Sequence, residues 1–137
     1  MYYSIGRKLL KIEGEGDIPQ PFAAVLTGDE FEKGELPPGF DRSSMARYPK
    51  PRFCKAEVHE DMLSGTLSVP NKRSFGKHSG FSYYINRTGV IFVDDSGLTT
   101  TILEKAEKTA VWREPSAGHF FYTFMEILVE NDLRYLE

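Results

Sequence analysis

The apolar residues of this chain change their period several times, and each change marks an element. Residues 2–12 are rich in aromatic and β-branched side chains around Gly6-Arg7, which predicts a strand or a small hairpin. A polar Gly/Pro connection fills 13–21, and the run Phe22-Ala23-Ala24-Val25-Leu26 then reads as a short buried strand. Thr27 followed by Glu30 is a capping-box pattern, so a short helix starts there and stops by Gly34. Residues 36–51 carry Pro37, Pro38, Pro49 and Pro51 and predict a loop, with one helical turn near 41–47.

Alternation returns over 53–69. Cys54, Ala56 and Val58 share one face, expected to be the core side, and Lys55, Glu57 and His59 share the other. Leu63, Leu67 and Val69 continue beyond Asp61, so the stretch predicts two half-buried strands or one bent one. A basic loop is expected over 71–80. Residues 81–85, a turn at 86–89 and the run Val90-Ile91-Phe92-Val93 predict an antiparallel hairpin, its second strand apolar throughout and therefore central. Asp94-Asp95-Ser96-Gly97 is turn chemistry. Residues 98–110 predict a helix with Leu98, Ile102, Leu103 and Ala106 inward. Ser116 is a good N-cap for a longer helix, in which Phe120, Phe121, Phe124, Leu128, Val129 and Leu133 recur at helical spacing. That periodicity is still running at Glu137 without a stop signal, which predicts more protein downstream. The pattern as a whole is that of one α+β domain over 1–137, with a long C-terminal helix.

Composition narrows the class. The chain has 137 residues, 40% hydrophobic and 27% charged, which suits one folded domain with a real core. Its net charge of −3 argues against general attraction to nucleic acid or anionic lipid, and the basic stretch from Arg42 to Lys55 reads as exposed loop. Cys54 is the single cysteine, so no internal disulfide forms and a cytosolic setting is expected. No apolar run approaches the ~20 residues that span a bilayer. Asn86-Arg87-Thr88 matches a glycosylation sequon but reads as a turn.

Few constellations could carry chemistry. Cys54 and His59 are the obvious nucleophile–base pair, yet an odd separation along a strand points them to opposite faces. No catalytic residue is assigned. Glu57, His59 and Asp61 share a strand face at ligand-like spacing, but Glu57 and Asp61 would lie about 13 Å apart along a regular strand, too far for one ion. Asp94 and Asp95 could hold a hard cation in a Gly-containing turn, although turn and cap duty is the commoner use. No P-loop, dinucleotide fingerprint or paired-cysteine zinc motif is present.

Several phrases in order resemble one family. They are Ala24-Val25-Leu26-Thr27 with Glu30-Phe31, then Cys54-Lys55-Ala56-Glu57-Val58, then Ser64-Gly65-Thr66-Leu67-Ser68-Val69-Pro70, then Gly89 through Gly97, then 120–137. Together they resemble the cytosolic N-terminal domain of CorA-type divalent-cation transporters. The resemblance implies a mixed, largely antiparallel sheet flanked by helices, with the last helix leading toward a membrane stalk. It implies a homo-oligomer, pentameric in that family, on the cytoplasmic side of the membrane. There the domain would join its own transmembrane portion and bind Mg²⁺ between subunits to bias the pore closed. The family's Gly-Met-Asn pore signature is absent, so this chain does not itself conduct ions. Asp41 is the domain-side acid that the resemblance brings forward as a metal candidate. Two other readings compete: a free-standing interaction or assembly module, suggested by ten phenylalanines and seven tyrosines, and a small cysteine- or metal-dependent enzyme built on Cys54, His59 and the acids.

Overall fold

The computed structural model describes residues 1–14, 16–41, 55–58, 61–70 and 78–136. Seven strands form one mixed sheet. β1 (Tyr2–Ile5) and β2 (Leu9–Ile12) make the N-terminal hairpin, closed by Gly6 N–H donating to the Lys8 carbonyl at 3.2 Å. β3 (Phe22–Leu26) lies antiparallel to β1 and parallel to β7 (Gly89–Val93). β4 (Lys55–Val58), β5 (Leu63–Pro70) and β6 (His78–Ile85) complete the order β2-β1-β3-β7-β6-β5-β4. The apolar run at 90–93 is thus the middle strand and is buried on both faces, as its composition demanded.

Each face has its own cover. On one side, α2 (Leu98–Thr109) and α3 (Ala117–Leu136) pack Ile102, Leu103, Ala106, Phe120, Phe124 and Leu128 against Tyr3, Ala23, Phe81, Val90 and Phe92. On the other, the short α1 (Gly28–Glu32) and parts of the segment 18–40 seal Phe22, Ala24, Leu26, Tyr84, Ile91 and Val93 with Phe31, Ile18, Leu36 and Phe40. The first core is aromatic: Phe81 meets Phe124 edge-on at 5.5 Å, and Phe92 stacks on Phe124 at 4.5 Å. Trp112 closes its lower edge, donating from Nε1 to Thr123 Oγ1 at 3.0 Å and from its backbone N–H to the Arg7 carbonyl at 2.8 Å.

The local signals are realised in detail. The Thr27–Glu30 capping box is fully formed, and Ser116 Oγ accepts the His119 N–H at 3.0 Å at the start of α3. Three expectations need correction. Ala56 and Val58 were expected inward, yet Ala56 is exposed and Val58 is 85% exposed, while Glu57 is half-buried. The reason is position: β4 is the outermost strand, beyond the reach of α2 and α3 among the described residues. Alternation tells which residues share a face, not which face is covered. In α3, Ile127 takes the inward place and Val129 is 51% exposed. β6 starts at His78, inside the stretch expected to be loop, because it pairs with β5 as far as Pro70. The helical turn expected near 41–47, Cys54 and His59 fall outside the described residues, except for Asp41 itself.

Candidate functional site

One polar cleft among the described residues begins with an asparagine. Asn86 sits at the tip of the β6–β7 hairpin, and its Oδ1 accepts from Thr88 N–H (2.8 Å), Thr88 Oγ1 (2.6 Å) and Gly89 N–H (3.3 Å). That is a side-chain-closed turn of the kind asparagine favours. Its Nδ2 still has a proton to give, and donates to the Gly39 carbonyl at 2.9 Å. The Pro37-Pro38-Gly39 loop is thereby pinned to the hairpin tip, 47 residues away in sequence. Gly39 suits the joint for two reasons: its φ is +90°, and a Cβ there would sit 2.4 Å from Thr88 Oγ1.

Beyond this joint, Asp41 and Asp61 line the same cleft. Both are exposed, and the cleft, of about 240 Å³, is also lined by Gly39, Phe40, Met62 and Asn86. Asp61 comes from the bend between β4 and β5, which the β5–β6 register (Leu63 opposite Ile85) holds beside the Asn86 turn. Asp61, Met62 and Asn86 also form one wall of a larger open groove of about 610 Å³, reaching Val58, Ile85, Arg87 and the first turn of α3. Two carboxylates from distant segments at a wet rim are chemistry suited to a hard cation that keeps much of its water. Among the described residues no three His, Cys, Asp or Glu side chains are grouped to cage a metal, so the cleft offers a pair of acids and no closed site.

The other candidates lie elsewhere. Asp94 and Asp95 are at the opposite end of β7, about 15 Å away along the strand. Asp94 is only 6% exposed and its carboxylate is saturated. Oδ1 accepts Ser96 N–H and Oγ, and Oδ2 accepts Thr99 N–H and Oγ1, all between 2.6 and 2.7 Å. It caps α2, doing from three residues upstream what Gly97 at the N-cap position lacks a side chain to do. Asp95 accepts the Gly28 N–H at 3.0 Å and so adds a cap to α1. Because β3 and β7 run parallel, with Asp94 N–H donating to Leu26 O at 2.9 Å, both helix starts meet at this end and the acids serve them. Glu57 lies on β4 opposite Ser64. Of the residues singled out in the sequence, then, the structure puts Asp41 and Asp61 on one cleft and separates both from Asp94 and Asp95. Asn86 and Gly39, which build the cleft, were legible only as turn residues.

Among the described residues, two tyrosine ionisations on β1 are displaced. Burial pushes the Tyr2 hydroxyl's pKa up, with the charges of Glu30 and Glu35 adding to it. Burial likewise raises that of Tyr3, helped by Glu107 and Glu104.

Comparison with known proteins gives one informative result. No family model matches the chain, and no curated protein matches it. Among solved structures, that of the full-length CmaX protein superposes on 95% of this chain with a TM-score of 0.60 and 12% sequence identity. The two share a fold. The match spans 45% of CmaX, so this chain corresponds to less than half of that protein.

Proposed function

We propose that this chain is the cytoplasmic regulatory domain of a CorA-like divalent-cation transporter, non-catalytic, working with its own transmembrane portion and neighbouring copies of itself. The observation that carries the reading is the fold shared with CmaX over nearly the whole of this chain and under half of the other, which is consistent with a CorA-related domain. The ordered sequence phrases from Ala24 to Glu137 add to it. No helix among the described residues is long and apolar enough to cross a membrane, so a pore would have to come from sequence outside this chain.

In this reading the Asp41–Asp61 cleft is the domain's half of a cation-sensing contact. Acids that line one cleft give a divalent ion such as Mg²⁺ carboxylate oxygens from two distant segments to bridge, and loss of the ion loosens whatever the cleft faces. The open, two-acid geometry suits an ion completed by water and by a neighbouring copy.

The first test is genetic: the reading frame that encodes this chain should continue into two transmembrane segments, and a frame lacking them would end the proposal. The second is a Mg²⁺ titration of thermal unfolding. A ligand specific for the folded state at 100 times its dissociation constant adds about 2.7 kcal/mol, on the order of 10 °C for a domain of this size. A flat response, with the chain at concentrations where copies would associate, removes the cation from the reading.

A further inference from the structure

We draw no further inference here: the strongest candidate, the open groove of about 610 Å³ between Val58, Ile85, Arg87 and the first turn of α3, shares Asp61, Met62 and Asn86 with the site already described, and nothing in the structure shows what covers it.

Discussion

At the scale of single residues, the polar side chains with the most structural consequence are the ones that satisfy backbone. Asp94 is nearly buried, and its two oxygens answer four donors at the start of α2. Asp94→Ala strands those donors in a place water reaches poorly. Hydrogen bonds to a charged group contribute about 1.5–3 kcal/mol each and do not add fully, so a loss of about 3–4 kcal/mol is expected in urea unfolding. Asp94→Asn keeps one acceptor and should lose about half as much; a wild-type midpoint in Asp94→Ala would mean the turn is held by something else. The tyrosines of β1 make a separate prediction with a definite sign. The folded protein raises the pKa of Tyr2 and Tyr3 above the ordinary phenol value of 10.0, so the native state holds these protons more tightly than the unfolded chain. Their contribution is fully present below pH 10 and is lost as pH climbs through the raised folded values. Stability should therefore fall on the alkaline side of 10, with delayed phenolate absorbance in the folded protein. Tyr3→Phe should flatten that alkaline limb, and an unchanged limb would mean other groups cause it.

At the scale of elements, what could be read from sequence is what is decided locally. The strand Phe22–Leu26, the Thr27–Glu30 capping box, the 86–89 turn and the Ser116 cap each depend on residues a few positions apart, and each is found where the pattern put it. The facing of β4 was not legible, because it depends on which strand ends up at the sheet's edge, and that is settled by pairings far along the chain. The cleft lined by Asp41 and Asp61 was hidden for the same reason: its walls come from distant segments, two of which the Asn86–Gly39 bond joins across 47 residues. In α3 the periodic pattern contains both Leu128, which is buried, and Val129, which is not, and spacing alone does not separate them. A paired substitution tells the covered face from the open one. Phe124 is fully buried among Phe81, Phe92 and Phe120, so Phe124→Ala should cost about 3–5 kcal/mol. Val129→Ala, on the solvent side, should stay within about 0.5 kcal/mol. Comparable losses at both sites would mean that the outer face is already covered within the molecule.

At the scale of the whole molecule, the sheet separates two acidic ends with different physics. The end that carries Asp94 and Asp95 is consumed by caps, and its charge is neutralised by backbone donors. The end that carries Asp41 and Asp61 holds its acids at an open rim, where the Asn86–Gly39 joint fixes the scaffold around them. If that second end senses a divalent ion, the two acids must cost something when the ion is absent, and removing one must relieve the cost. Asp61→Asn keeps the side-chain volume and removes one charge. Without Mg²⁺ it should leave the chain at least as stable as wild type, or raise stability by a few tenths of a kcal/mol, since exposed like charges repel weakly in water. With Mg²⁺ it should lose most of the stabilisation that wild type gains, because the ion's attraction depends on both carboxylates. Asp95→Asn, at the other end, should leave the Mg²⁺ increment intact while weakening only the α1 cap. The decisive measurement is the difference between the two variants across one Mg²⁺ titration of thermal unfolding. Equal increments in Asp61→Asn and wild type would place any bound cation away from this cleft and leave the Asn86 joint as a purely structural one.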